Sequence, residues 1–270
     1  AVSLTFDKTE VIVRIKDEDM NGVRLVLGNA ASAETTFLSV TTAHATDTNG
    51  NDLASISITN ALVAAAFLPD TSPPQVASFT FDLTLNEIVM TFSEPVHGPS
   101  FEPTSITIRN AACDGCLGLK VHKLRQLSTA SQDLLDGLTV TITVSREDMN
   151  EIKKIRTLGV DVDTTWLSAE HGFVNDLGAI AALQILPTAA KQASLVNVDS
   201  GNPLLQEFTL NMDTGFLMLT FDEIIDAANV AFTKIAIQNL DATSSVSLTT
   251  GILNSEDDFV IAIQIVDADL

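Results

Sequence analysis

The fold is decided by the stretch Glu87-Ile88-Val89-Met90-Thr91-Phe92-Ser93-Glu94-Pro95-Val96, which returns as Phe216-Leu217-Met218-Leu219-Thr220-Phe221-Asp222-Glu223-Ile224-Ile225. The residue numbers of the two copies differ by 129 (216 − 87). In both copies apolar residues occupy alternate positions, a period of two that buries one face of a β-strand and leaves the other toward water. Each copy ends near an acidic residue. The two copies therefore predict a chain built from repeated β-rich modules.

A second repeated segment fixes the phase of these modules. The segment 19–21, Asp-Met-Asn, matches 148–150 at the same offset of 129 (148 − 19). Asp269-Leu270 closes the chain at the same phase, at a further offset of 121 (269 − 148). The difference of eight between the offsets points to an insertion in one module, around 113–122. We expect this insertion to decorate one module and to lie outside the repeated core.

The phase divides the chain into three parts. Residues 1–70 read as the C-terminal half of one module, 71–199 as a complete module carrying the cysteine-loop insertion, and 200–270 as the N-terminal part of a further module. Segment 138–144 alternates strictly after an Asp-Gly turn, and Ser145 begins a Ser-x-x-Asp cap before a short amphipathic segment. We expect a mainly β chain with one short α-helix per module, cut as a window from a longer array.

Several short motifs resemble a known family. The segments 90–96 (Met-Thr-Phe-Ser-Glu-Pro-Val), 136–137 (Asp-Gly) and 174–178 (Val-Asn-Asp-Leu-Gly) resemble the bacterial-type Ig-like repeats of surface-layer and adhesin proteins. The later copy departs from the pattern at Ile224, where the proline is missing. The resemblance implies a string of extracellular Ig-like β-sandwiches that act in spacing, assembly or adhesion. It carries over no catalytic residues.

The net charge and the apolar content limit the kinds of partner that the chain can bind. Apolar residues make up 46% of the 270 residues, and the formal net charge is −21. This charge argues against binding to nucleic acid or to an anionic membrane surface, and it favours cation binding. The apolar run 61–68 is far too short to span a bilayer, so we expect no membrane insertion.

The two cysteines lie in a Cys-Asp-Gly-Cys loop. As a disulfide, Cys113 and Cys116 would close a small loop, for a stabilisation of about 2 kcal/mol on the chain-entropy estimate. A redox-active pair would be followed by the start of a helix, and the segment after Gly118 does not read as one. The sequence favours a structural disulfide over a thioredoxin-like or zinc-binding role.

The repeat provides a test for catalytic histidines. The positions that match His44, His97 and His171 hold Phe173, Asp226 and Thr42, and His122 lies in the insertion. None of the four recurs, and no nucleophile elbow, His-Glu-x-x-His pair or phosphate loop is present. We therefore interpret the histidines as surface residues, and we predict a non-enzymatic protein with no catalytic and no cofactor-binding residues.

Acidic residues do recur between modules. Each could be a helix cap or a turn former, or it could help bind calcium between adjoining modules and stiffen the string. The acidic segment 47–52 is not an EF-hand, because its glycine is fourth and its twelfth residue is Ile58. We interpret Glu94 as a strand-end or inter-module residue, with a cation ligand as the alternative role. The candidate calcium ligands are Asp19, Asp47, Asp148, Asp161, Asp163 and Asp176.

These observations lead to a hypothesis about function. The sequence predicts a structural repeat protein of an extracellular filament, appendage or surface layer, whose copies or neighbouring repeats associate with one another through strand edges. The alternative is a cell-surface adhesin or binding module, in which the Cys113–Cys116 loop contacts a partner.

Overall fold

A computed structural model describes residues 2–4, 11–26, 31–42, 45–125, 129–130, 135–253 and 256–265. These residues form a mainly β protein with two α-helices. Three successive segments, separated near residues 70 and 199, carry the strands and helices. We name them the N-terminal segment, the central sandwich and the C-terminal segment.

The N-terminal segment holds two small antiparallel sheets and one helix. Strands β1 (Val2–Leu4) and β2 (Val11–Val13) pair with each other, and so do β3 (Phe37–Leu38) and β4 (Leu62–Val63). Helix α1 (Asp17–Leu25) lies between the two pairs in the chain and lacks a side-chain cap at its start.

The central sandwich consists of two sheets around one core. Its strands are β5 (Val76–Asp82), β6 (Glu87–Val96), β7 (Ile106–Arg109), β8 (Val121–Lys123), β9 (Thr129–Ala130), β10 (Gly137–Thr143), β11 (Trp166–Ala169), β12 (Lys191–Gln192) and β13 (Leu195–Asn197). One sheet has the order β13-β5-β6-β10-β9 and the other the order β12-β11-β7-β8. Neighbouring strands are antiparallel, except that β13 runs parallel to β5.

Period-two alternation accounts for this core. Phe79 and Phe81 of β5, with Ile88 and Met90 of β6, are fully buried between the sheets. The opposite sheet contributes fully buried apolar side chains from β7 and β11 to the same cluster. Burial of one such side chain is worth roughly 1.5–3 kcal/mol, so the shared core holds the two sheets together.

Helix α2 (Arg146–Lys154) follows β10 and has the cap that the sequence predicts. The Ser145 hydroxyl accepts a hydrogen bond from the Asp148 main-chain N–H at 3.1 Å. Met149 and Ile152 are buried on one face, while Lys153 and Lys154 complement the helix dipole in the last turn. Both α-helices have nine residues, and no helix in the described ranges is long and apolar enough to cross a membrane.

The C-terminal segment repeats the first half of the central sandwich. Its strands are β14 (Leu205–Asn211), β15 (Phe216–Ile225), β16 (Ala236–Gln238), β17 (Ser245–Ser247), β18 (Ile252–Leu253) and β19 (Asp258–Gln264), arranged as sheets β14-β15-β19-β18 and β16-β17. Short 3₁₀ helices occur at Ala33–Thr35, Ile58–Asn60, Gly98–Ser100, Pro103–Ser105, Pro187–Ala189, Ala227–Asn229 and Phe232–Lys234.

The elements recur at the spacing found in the sequence. The first residues of α1 and α2 differ in number by 129 (146 − 17), as do those of β6 and β15 (216 − 87). For β10 and β19 the difference is 121 (258 − 137), so the eight additional positions lie between β7 and β10. Even the turn before the long strand matches, since Asn86 and Gly215 both have positive φ, of 57° and 70°. The third match, Asp269-Leu270, lies outside the described residues.

Candidate functional site

The end of helix α2 binds the segment that follows it. The Lys153 ammonium lies 2.8 Å from Asp199 Oδ2 and 2.8 Å from Glu223 Oε2. Asp199 belongs to the connection after β13, and Glu223 lies near the end of β15. The three side chains are between 15% and 29% exposed, so the ion pairs are partly shielded from water. We call this set the second junction.

The same arrangement occurs one module earlier. The Arg24 guanidinium, near the end of α1, lies 2.6 Å from Asp70 Oδ2 and 3.4 Å from Glu94 Oε2. We call these residues, with Asp176, the first junction. Between the two junctions, the residue numbers of the cation, the connecting aspartate and the strand-end glutamate each differ by 129 (153 − 24, 199 − 70, 223 − 94). The chain therefore uses one contact twice to join a helix to the next module.

Further ion pairs reinforce the second junction. Arg156 Nη2 lies 3.0 Å from Asp226 Oδ1 and 2.6 Å from Asp257 Oδ2, and Lys154 Nζ lies 3.5 Å from Asp258 Oδ1. The hydrogen bonds to Asp226 and Asp257 raise the pKa of Arg156, which therefore stays charged. Basic residues at the end of α2 thus pair with acidic residues beside β15 and β19.

The central sandwich has a different pair at the positions of Asp226 and Asp257. His97 and Asp136 occupy them, with His97 Nδ1 2.8 Å from Asp136 Oδ1. Asp136 also accepts a hydrogen bond from the Gly98 main-chain N–H at 3.2 Å. This pair closes the end of β6 within one module, whereas Arg156 makes the corresponding connection between two modules.

A third carboxylate distinguishes the first junction. Asp176, in the loop after β11, lies beside the end of β6 because its main chain forms an isolated antiparallel bridge with Val96. One carboxylate oxygen each from Asp70, Glu94 and Asp176 lies within 4.8 Å of the other two. Glu94 and Asp176 are both only 5% exposed. It is the one group of this kind in the part of the chain that the structure describes.

Burial shifts the ionisation of the strand-end glutamates. Removal from water raises the pKa of Glu94 from 4.5 to about 7, and the neighbouring Asp70 and Asp176 charges act in the same direction. Burial also raises the pKa of Glu223. Although burial opposes its charged form, the bonds to Asp199 and Glu223 raise the pKa of Lys153. In each junction, therefore, burial makes the charged form of the strand-end glutamate energetically unfavourable.

Of the six candidate calcium ligands, Asp176 alone belongs to this cluster. Asp19 is exposed on α1, and Asp47 accepts hydrogen bonds from the Asn49 and Asn51 main chain in a surface turn. Asp161 bonds Thr164, and Asp163 accepts from Gln192 at 3.3 Å. Asp148 is fully buried and bonds His122 and the Arg125 main chain.

Sequence reasoning did not find Asp70 as a partner of Glu94. The signal was present, because Asp199 occupies the matching position at the offset of 129 (199 − 70) and a basic residue recurs at Arg24 and Lys153. Comparing the two copies residue by residue for charge would have identified all three positions.

One interpretation of the histidines is wrong. His122 is not a surface residue: it is 9% exposed, and its Nε2 lies 2.8 Å from Asp148 Oδ1. The inserted strand β8 places it over the start of α2, so the insertion contributes to the core that we expected it only to decorate. His97 and His171 are exposed, and His44 lies outside the described residues.

The two cysteines lie at disulfide distance in an exposed loop of the insertion. The guanidinium of buried Arg109 braces this loop by donating a 2.8 Å hydrogen bond to the Cys113 carbonyl. The Asn110 side chain donates to the Gly118 carbonyl at 3.2 Å and accepts from the Lys120 main chain at 2.8 Å. The loop is therefore fixed at both ends as well as by its cysteines.

No family model matches the chain, and no curated protein sequence matches it.

Proposed function

We propose that this is a non-enzymatic structural protein in which Ig-like modules form a tandem array of an extracellular filament, appendage or surface layer. The observation that carries the proposal is the repetition of one junction, in which Arg24, Asp70 and Glu94 are matched by Lys153, Asp199 and Glu223. A contact that recurs at the module spacing gives every pair of modules the same relative placement, as a regular string requires.

The short helix of each module connects that module to the next one in such an array. A minimal sandwich needs no helix between its strands, yet α1 and α2 each end in a basic residue that contacts the following segment. Several partly shielded charges on one face give orientation as well as energy. The helix thus acts as the connector that sets the angle between neighbouring modules.

Exposed apolar faces on the outer segments support association with further modules. Leu38 is 58% exposed and Phe208 is 58% exposed, whereas the matching residues of the complete sandwich, Leu167 and Phe79, are fully buried. Apolar faces of this kind mark interaction surfaces. We propose that a neighbouring repeat or another copy of the chain covers them.

The extracellular placement rests on two observations. The cysteine pair lies at disulfide distance, and disulfides persist in oxidising surroundings outside the cytosol. The resemblance of segments 90–96 and 174–178 to surface-layer repeats agrees with this placement.

Electron microscopy of the purified chain at rising concentration tests the proposal. We expect elongated particles that join end to end as the concentration increases. Isolated compact monomers at every concentration would contradict an assembling array.

One observation favours the adhesin as a second candidate. Leu117, at the tip of the braced cysteine loop, is fully exposed. A rigid loop that presents an apolar side chain is suited to partner binding, since little conformational freedom is lost on contact. Leu117→Glu would then abolish binding to a cell surface while leaving the melting temperature unchanged. Unchanged binding would remove this candidate.

A further inference from the structure

We propose that Asp70, Glu94 and Asp176 bind one divalent metal ion, calcium, at the first junction. This proposal does not depend on the assembly of the array, because modules can associate whether or not calcium is bound.

The first argument is charge balance. Three carboxylates converge within 4.8 Å, and among the described residues only the guanidinium of Arg24 forms an ion pair with them. Arg24 contacts Asp70 and Glu94, and no ion pair links it to Asp176. With all three carboxylates ionised, the cluster has two negative charges in excess, and two of its members are removed from water. Burying like charges together is costly unless a cation or protons compensate them.

The second argument is the state of one buried oxygen. Glu94 Oε2 is inaccessible to solvent and accepts no hydrogen bond. Its contact with Arg24, at 3.4 Å, is an ion pair without hydrogen-bond geometry. Buried carboxylate oxygens normally have partners. An oxygen that is buried in this cluster with an ion-pair contact but no hydrogen bond is suited to coordinate a cation.

The third argument is the spacing. Calcium binds oxygen at about 2.3–2.6 Å, so two ligands on opposite sides of the ion lie roughly 4.6–5.2 Å apart. The carboxylate oxygens, no more than 4.8 Å from one another, can therefore surround one calcium ion after small side-chain adjustments. Asp70 is partly exposed, at 27% of its side chain, which leaves an approach for the ion and for waters that complete its shell.

The local structure holds the ligands in place. Asp176 Oδ1 accepts a hydrogen bond from the Ile180 main chain at 2.7 Å, and Asp70 Oδ1 accepts from the Ser72 main chain at 3.0 Å. A Cβ atom at Gly178 would lie 3.3 Å from Asp176 Oδ1, so glycine lets this loop close around the carboxylate. Glu94 is fixed by strand β6. The three ligands thus come from three structural elements, and calcium would tie the connection at residue 70 to the sandwich.

The second junction provides a control within the same chain. Lys153 has close contacts of 2.8 Å to both Asp199 and Glu223. Among the described residues, no third carboxylate lies with Asp199 and Glu223 in a group of possible metal ligands. The second junction therefore has two carboxylates for one ammonium, and we expect no calcium there.

The test is calorimetric titration of the chelator-treated full chain with calcium chloride at pH 7.5. We expect about one ion per chain and a higher melting temperature in calcium. Glu94→Gln and Asp176→Asn each remove a charged ligand and should weaken binding by about tenfold or more. Asp70→Asn, on the exposed connection, provides a variant with little effect on the core, and Glu223→Gln should bind as the parent chain does.

Two results would overturn the proposal. One is the absence of both binding heat and a melting shift at millimolar calcium. The other is binding that persists in all three variants of the first junction, or that is lost in Glu223→Gln. Circular dichroism of each variant without calcium shows whether it is folded. Neither result bears on end-to-end assembly, which electron microscopy measures separately.

Discussion

The Nζ atom of Lys153 and the Oε2 atom of Glu223 are 2.8 Å apart, although the residues are 70 positions apart in the chain. One ends a helix of the central sandwich and the other ends a strand of the next segment. Their counterparts, Arg24 and Glu94, are also in ion-pair contact, at 3.4 Å. Both junctions thus join successive modules through a positive and a negative side chain. The positive residue is arginine in the first junction and lysine in the second.

Removing the charge of Lys153 should destabilise the C-terminal segment. Lys153→Met keeps most of the aliphatic stem but leaves Asp199 and Glu223 without their cation in a partly buried site. We expect a loss of about 1–3 kcal/mol in the free energy of unfolding, measured by urea denaturation. The control is Lys123→Met, which breaks an exposed pair with Glu170 and should cost less than about 1 kcal/mol. Equal effects of both substitutions would contradict the role assigned to Lys153.

Stability should depend on the ionisation of Glu94. Its pKa rises from 4.5 to about 7 on folding, so between these values the folded chain binds a proton that the unfolded chain has released. The stabilisation is fully present below pH 4.5, falls as the pH rises, and is lost above pH 7. At about 1.36 kcal/mol per pKa unit, the change is at most about 3–4 kcal/mol.

Glu94→Gln isolates this contribution, because glutamine is neutral at every pH. In chelator, we expect its unfolding free energy to change less between pH 5 and 8 than that of the parent chain. Asp70, Asp176 and Arg24 remain in place and supply the residual dependence. Parallel pH profiles for the two proteins would show that Glu94 does not take up a proton in this range.

The pair His122–Asp148 should stabilise the central sandwich. Asp148 is fully buried and lies 2.8 Å from His122 Nε2, so Asp148→Ala leaves polar groups without a partner. We expect a loss of about 2–4 kcal/mol in urea denaturation. Asp19→Ala is the matched control, because Asp19 has the same repeat position but is exposed on α1. A similar loss of unfolding free energy in both variants would refute the claim that only the buried aspartate stabilises its module.

The exposed face of β14 should drive association. Phe208→Glu places a charge where the complete sandwich has a buried phenylalanine, and we expect a lower mass in sedimentation equilibrium at high protein concentration. Leu117→Glu changes a fully exposed residue elsewhere and should leave the mass distribution unchanged. Loss of association in the Leu117 variant alone would show that the cysteine loop, and not β14, makes the contact between chains.

The sequence predicted the elements that depend on local pattern. Strand β10 follows from strict alternation after the Asp136-Gly137 turn, and α2 follows from the Ser145 cap with apolar residues on one face. The module spacing was also readable, because the same residues return at a constant offset. The strand and the helix depend on neighbours in the chain, and the spacing depends only on comparing the sequence with itself.

The sequence indicated Glu94 as a strand-end or inter-module residue, but its partners were not predicted, because they are residues that no local pattern links to it. Asp176 reaches Glu94 through a strand-to-loop bridge with Val96, and periodicity says nothing about such a bridge. His122 was misjudged for a related reason. It lies in an insertion with no second copy, so the repeat could not show that β8 continues a sheet over α2.

Small-angle X-ray scattering of three proteins tests whether the repeated junction fixes the placement of modules. These are the parent chain, Lys153→Glu, and the charge exchange Lys153→Glu with Glu223→Lys. We expect Lys153→Glu to increase the radius of gyration and broaden the distance distribution, because three carboxylates then repel one another, and the exchange to restore the parent profile. Three superimposable profiles would contradict the account.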